Sequence, residues 1–236
     1  MEVIKISNLS YSYPDGRQAL MDISLEIRHG EPLGIIGRNG AGKSTLLLHL
    51  NGILRSGNGA VKILGQPLTD ENIKQVRRQV GLVFQDPDDQ LFSPTVFDDV
   101  AFGPINMGLS EPEVLKAVSG ALKMVGMEEF EKRSCHHLSL GEKRRIAIAT
   151  VLAMPPEILV LDEPTSNLDP GAKWALIEFL KGLSVTRVVV SHDLELIGEL
   201  CKRVLVFDGG RIVAEGVTAD ILANKPLLAR HGLAAP

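Results

Sequence analysis

Residues 37 to 44 read Gly37-Arg38-Asn39-Gly40-Ala41-Gly42-Lys43-Ser44, a full match to G-x-x-x-x-G-K-[ST], and no other stretch constrains the fold as tightly. A triphosphate needs many donors at close range. Small residues let backbone N–H groups curl round the phosphates, and a following helix directs its positive end at them. The apolar run Leu33-Gly34-Ile35-Ile36 enters the loop as a strand, and TLLLHLNGIL leaves it as a helix that ends near Asn51-Gly52. On this reading ATP is cradled by Gly37 to Thr45, Lys43 reaches the β/γ-phosphates and the Ser44 hydroxyl binds Mg²⁺.

The remaining apolar runs supply a framework for that loop. Val3, Ile4 and Ile6 open one strand, and Leu20, Ile23, Leu25 and Ile27 recur with a period near two. With GAVKILGQPL they suggest a small antiparallel layer beside the main sheet. Gly81 to Phe84, Ile158 to Leu161, Val188 to Val190 and Val204 to Phe207 are short and almost wholly apolar, as strands covered on both faces must be. Val114, Val118, Leu122 and Val125 recur at helical spacing between Glu111 and Met127, and Ile146 to Met154 continues a second helix. The expectation is one α/β domain over 1–236. It has a P-loop NTPase core with a mostly parallel sheet, a small antiparallel β-subdomain, a helical insertion over about residues 86–154, and a short tail over 216–236 with one weak helical segment.

Ile158-Leu159-Val160-Leu161-Asp162-Glu163 is a strand ending in adjacent carboxylates. Neighbours on a strand point to opposite faces, so the exit turn must separate their roles. Asp162 is placed to hold Mg²⁺ and Glu163 to orient or deprotonate an attacking water. Gln85 ends another strand, where its carboxamide could reach the metal or the water. His192 follows a third and could donate to the γ-phosphate. Both lie at the sheet edge where ligands bind.

Composition excludes several classes. With 25 Lys plus Arg against 29 Asp plus Glu there is no basic excess to point to nucleic acid. Cys135 and Cys201 lack ligand spacing and form no disulfide framework. The opening MEVIKISNLS does not read as a signal peptide. The most apolar stretch, Ile146 to Met154, falls well short of the ~20 residues that span a bilayer. His136 and His137 are adjacent, so they do not converge on one ligand and read as exposed or structural.

These pieces, in this order, resemble the ATP-binding-cassette ATPases over nearly the whole chain. Besides the phosphate loop and ILVLDE there are LSLGE (Leu138 to Glu142) in the signature position, Ser166-Asn167-Leu168-Asp169 in the D-loop position, and Ser191-His192-Asp193. Within the family, GLVFQDPDDQLFSPTVFDDVAFGPINMGLS is similar to the ATPase of energy-coupling-factor importers, which handle cobalt, nickel and vitamins, especially the cobalt-type members. The resemblance implies that Tyr13 stacks on adenine, with Tyr11 as second choice. It implies a head-to-tail dimer with a second ABC ATPase subunit, identical or different. Each ATP then lies between Gly37 to Thr45 of one subunit and Ser139 and Gly141 of the other, and Asp169 is a dimer contact. It also implies integral membrane transporter subunits as partners, a peripheral position on the cytoplasmic face of the membrane, and Leu91, Phe92, Phe97 and Phe102 as the surface that receives them.

Two departures stand out. Leu140 replaces a glycine and Glu142 a glutamine of the usual LSGGQ signature. Ser139 and Glu142 keep the spacing of a capping box, and a base such as Lys143 or Arg144 is expected to screen the extra carboxylate. Cobalt and vitamin ATPases of this group often carry a further C-terminal dimerising region, whereas this sequence stops at Pro236, so a weak resting dimer is expected. The rival readings are an ATPase acting on DNA or ribosomes, the ATPase of another class of ABC transporter, and a regulatory module with an inactive nucleotide site. The first of these rivals meets no long coiled coil, second cassette or basic excess. The last meets the retained Lys43, Asp162, Glu163 and His192.

Overall fold

The computed structural model describes residues 1–55 and 60–233; Gly59 and residues 234–236 therefore lie outside the described residues. Two sheets form the framework. The first is antiparallel, in the order β2-β1-β4-β5, from β1 (Glu2–Ser12), β2 (Gln18–Arg28), β4 (Val61–Ile63) and β5 (Gln66–Pro67). The second has the order β10-β9-β3-β8-β7-β6, from β3 (Pro32–Gly37), β6 (Val80–Val83), β7 (Ile158–Asp162), β8 (Thr186–Val190), β9 (Arg203–Asp208) and β10 (Arg211–Val217). All its neighbouring strands run parallel except β10, which is antiparallel to β9. The mostly parallel P-loop core and the small antiparallel subdomain are as the sequence predicts.

Continuous apolar strands follow from burial on both faces. In β7, Leu159 and Leu161 join one core cluster while Ile158 and Val160 join the other; in β8, Val189 faces opposite to Val188 and Val190. Each such side chain contributes about 1.5–3 kcal/mol of apolar burial. One layer holds α1 (Lys43–Leu50) and the antiparallel sheet, with α2 (Ile73–Gln79) leading into β6. The opposite layer holds α3 (Val96–Asn106), α4 (Glu111–Met124) and α5 (Leu140–Leu152), all between β6 and β7, followed by α6 (Pro170–Lys181) and α7 (Leu194–Leu200). The predicted stripe on α4 is buried at Val114, Val118 and Leu122, and Val125 packs at its C-cap.

The three-residue step from Leu20 to Ile23 breaks strict alternation, yet both side chains are buried. The β1–β2 register shifts here, with Asn8 (φ 50) and Asp22 (φ 55) both left-handed. Asn8 Nδ2 donates to Asp22 Oδ1 at 2.8 Å, which secures the irregularity. A bulge thus keeps the apolar set facing one way.

The end of the chain differs from the expectation. Glu215 belongs to β10, an edge strand whose residues alternate between exposed and half-buried, a weak signal in sequence. Two short helices follow, α8 (Thr218–Ala223) and α9 (Lys225–Arg230), and Leu228 of α9 is buried. Both cysteines are free and buried; burial, with Asp99 beside Cys135, pushes each thiol up to about 12.

Candidate functional site

The edge formed by the ends of β3, β6, β7 and β8 carries a cavity of about 300 Å³. Its floor is the phosphate loop, with Asn39, Gly40, Gly42, Lys43, Ser44 and Thr45. Glycine is required at 42, where φ is +103° and a Cβ would stand 2.4 Å from Ala19 O. That residue is the N-cap of α1 and offers no side-chain acceptor, so the first-turn N–H groups face the cavity without a capping partner. Gly37 and Ala41 serve packing instead. A Cβ on Gly37 would lie 2.4 Å from Phe207 O, and Ala41 is buried, its carbonyl accepting from Gly210 N at 3.0 Å. The Arg38 side chain lies against Gly232, away from the lining.

Lys43 Nζ donates to Gly37 O at 2.7 Å and Arg38 O at 3.0 Å. Burial lowers its pKa, and the carboxylates of Glu163 and Asp162 oppose that shift. Asp162, at the end of β7, is raised by burial, while a hydrogen bond to Ser44 pulls the other way. Its Oδ1 is buried without a hydrogen-bond partner among the described residues. An orphan carboxylate oxygen beside a serine hydroxyl, with Gln85 on the same cavity, is a hard-oxygen set that fits a small divalent cation.

Glu163 leaves the strand with φ 46, a left-handed conformation that few non-glycine residues adopt. Its carboxylate has different partners from that of Asp162. Ser191 Oγ donates to Oε2 at 2.8 Å, and His192 N donates to Oε1 at 3.0 Å. His192 Nδ1 lies 2.9 Å from the same Oε1, while the imidazole itself is largely exposed on the cavity rim. Gln85, Glu163 and His192, distant in sequence, thus share one cavity with the phosphate loop.

Of the two tyrosines only Tyr13 lines the cavity. Its hydroxyl and Thr45 Oγ1 share a hydrogen bond of 2.9 Å, and the Arg17 guanidinium stands 4.8 Å from its ring centroid. Tyr11 packs edge-on against His49 instead, with centroids 4.8 Å apart. Sequence reasoning does not find Arg17, Gln18 and Ala19, which also line the cavity. Arg17 sits on the turn into β2 and Gln18 and Ala19 open that strand, outside any motif, and the Ala19 carbonyl closely approaches Gly42, where side-chain identity carries no signal.

Ser139, Gly141 and Asp169 line a different cavity of about 440 Å³, which shares no residue with the first. Ser139 caps α5, and its N–H and hydroxyl both donate to Glu142 Oε2 at 2.7 Å, the capping box expected from the spacing. Those bonds, then the charges of Arg133 and Arg145, lower the Glu142 pKa. The bases expected to screen it are engaged elsewhere. Lys143 pairs with Asp88 at 2.6 Å, and Arg144 is buried beneath the helix, because successive helical positions point in different directions. Asp169 caps α6, accepting from Ala172 N at 3.0 Å.

The expected partner surface also divides. Leu91 is buried, so it is not available to a partner, and Phe97 packs partly buried against the core. Phe92 and Phe102 are 64% and 52% exposed and pack edge-to-face on the rim of a groove of about 400 Å³. His136 and His137 are exposed, as expected.

The family model described as ABC transporter matches residues 20–166. The energy-coupling factor transporter ATP-binding protein EcfA of Methanothermobacter thermautotrophicus is 51% identical over 99% of this chain and 77% of its own length. The structure of cbiO1 from Clostridium perfringens, described as part of the ABC transporter complex cbiONQ, is 39% identical over 100% of this chain and 96% of that one, with a TM-score of 0.85. A dimeric ATP-binding cassette bound to ADP and Pi is 30% identical over 91% of this chain and 98% of that one, with a TM-score of 0.82. The chain belongs to the ABC transporter ATP-binding family and is homologous to the ATPases of energy-coupling-factor transporters.

Proposed function

We propose that this chain hydrolyses ATP between the facing halves of a head-to-tail dimer and so drives an energy-coupling-factor importer for cobalt, nickel or a vitamin. The observation that carries the reading is the separation of the phosphate-loop cavity from the one lined by Ser139 and Gly141. One chain bears both halves but does not bring them together. A second copy, related by a two-fold axis, supplies each half to the other and closes two equivalent sites. Asp169, beside Ser139 on the same cavity, then lies at the dimer contact.

In this reading the N–H groups of the loop residues that line the cavity, Asn39, Gly40 and Gly42 to Thr45, and the Lys43 ammonium hold the triphosphate. Tyr13 offers ring area to the base and selects it only weakly. Ser44, Asp162 and Gln85 hold Mg²⁺, which when bound neutralises phosphate charge and orients the terminal phosphate. Glu163 accepts a proton from the attacking water as its oxygen bonds to the γ-phosphorus and the bond to the ADP oxygen breaks. His192 donates to a γ-phosphate oxygen. Glu163 is already fixed by Ser191 and His192, so little reorganisation is needed at that step.

Among the described residues no helix is long and apolar enough to cross a membrane, and no group of three or more His, Cys, Asp or Glu could hold a metal. From this chain's likeness to cbiO1, part of the ABC transporter complex cbiONQ, the reading assigns the solute to membrane subunits and places this chain peripherally on the cytoplasmic face. Phe92 and Phe102 are the docking aromatics. Purification in detergent is expected to bring integral membrane proteins with the unmodified chain. Phe92→Asp with Phe102→Asp should reduce their recovery by about tenfold or more while ATP binding is kept. Recovery of ribosomes or DNA instead, unaffected by these changes, would contradict the transport reading.

Leu140 and Glu142 should leave hydrolysis intact, because Arg133 and Arg145 already compensate a largely solvated carboxylate. In the assembled complex, Glu142→Gln and Leu140→Gly are expected to change the ATPase rate by less than about fivefold. A much larger rise would show that the natural signature is impaired.

A further inference from the structure

Arg144 lies on the same side of α5 as the buried residues Ala147, Ile148 and Val151, and is itself 2% exposed. A guanidinium withdrawn from water needs acceptors for its N–H groups. Here it finds main-chain carbonyls. Nη1 donates to Phe84 O at 3.2 Å and to Gln85 O, and Nη2 donates to Ser166 O at 3.3 Å, while Nε has no partner among the described residues. An apolar side chain of similar volume would fill this position with less desolvation cost, so stability alone does not account for an arginine.

Gln90 holds the same residue, Phe84, through the preceding peptide. Its Oε1 accepts from Phe84 N at 3.2 Å, and its Nε2 donates to Ala147 O at 2.8 Å and Thr150 Oγ1 at 2.7 Å, both on α5. The N–H and the C=O of Phe84 are therefore both tied to the helix that Ser139 caps. Gln85, the next residue, lines the phosphate-loop cavity. Ser166, the third carbonyl, starts the segment that leads to Asp169.

We propose that Arg144 and Gln90 are positioning residues that set Gln85 in the nucleotide site by tying the backbone before it to α5. The inference rests on the reading above of Gln85 as a ligand of metal or water. Neither positioning residue lines the phosphate-loop cavity; Gln90 acts through the N–H of Phe84 and Arg144 through the carbonyls of Phe84 and Gln85.

A double-mutant cycle on the full chain tests this, with kcat and KM for ATP and equilibrium nucleotide binding measured for Gln85→Ala, Arg144→Lys and the double variant. Arg144→Lys is expected to lower kcat by about tenfold or more, since small misplacements are costly in turnover, with nucleotide affinity kept within about twofold. In the Gln85→Ala background the same change should cost less than about twofold, because the group it positions is gone. Equal losses in both backgrounds, or no loss from Arg144→Lys, would overturn the proposal while leaving the Gln85 assignment standing. No loss of turnover from Gln85→Ala alone would overturn that assignment and the proposal with it. Should Arg144→Lys lower the melting temperature, Gln90→Leu at a half-buried position carries the same cycle with the same outcomes.

Discussion

Replacing Glu163 with glutamine is expected to lower ATP turnover by about 100-fold or more, the range for loss of a positioned general base, while ATP binding persists. The amide keeps the shape of a side chain that is 5% exposed, so the fold should hold. It cannot accept a proton from water at neutral pH. The left-handed backbone at Glu163 and the donors from Ser191 and His192 fix the side chain in one orientation, so no neighbour is placed to substitute for it. Asp162, the adjacent carboxylate in sequence, is engaged with Ser44 and in the proposed reading belongs to the metal set. Single-turnover phosphate release at saturating ATP measures the effect. Turnover within a few fold of the unmodified chain would remove Glu163 from the role of base.

Lys43→Met should act earlier, on both binding and turnover. The ammonium is buried among loop carbonyls and held charged by Glu163 and Asp162. Removing it takes a charge-assisted donor from the phosphates, a loss of about 10²–10³ in turnover for a single preorganised donor. It also removes a positive neighbour that lowers the Asp162 pKa, so that carboxyl shifts further up. Equilibrium ATP binding should weaken in parallel, which separates this variant from Glu163→Gln. Unchanged nucleotide affinity in Lys43→Met would contradict the placement of the phosphates.

The parts of the site legible in sequence are those in which local spacing and ligand chemistry coincide. The phosphate loop is contiguous, so one octet carries the glycine positions, the lysine and the hydroxyl. Asp162 and Glu163 end an apolar run that can only be a buried strand, and Gln85 and His192 end two more. Parallel pairing of those strands brings all of them to one edge. What stays hidden depends on tertiary contact. Lys143, Arg144 and Arg145 read alike in sequence, yet the helix sends the middle one inward and leaves its neighbours more exposed. Leu91 and Phe97 read as surface beside Phe92 and Phe102 because rotation about α3 and its entry turn decides which aromatics are covered. The β10 edge strand is half-buried on one side only, and its alternation is too weak to stand apart from a loop.

The central claim is that the phosphate loop is half of a site, completed by Ser139 and Gly141 of a second chain. Light scattering of the Glu163→Gln chain with and without ATP and Mg²⁺ tests it most directly. The expected result is the mass of a single 25.5 kDa chain without nucleotide and twice that mass with it, reversed by Ser139→Arg, which obstructs the facing cavity. A mass that does not change with ATP, or a dimer that forms equally well with Ser139→Arg, would contradict it.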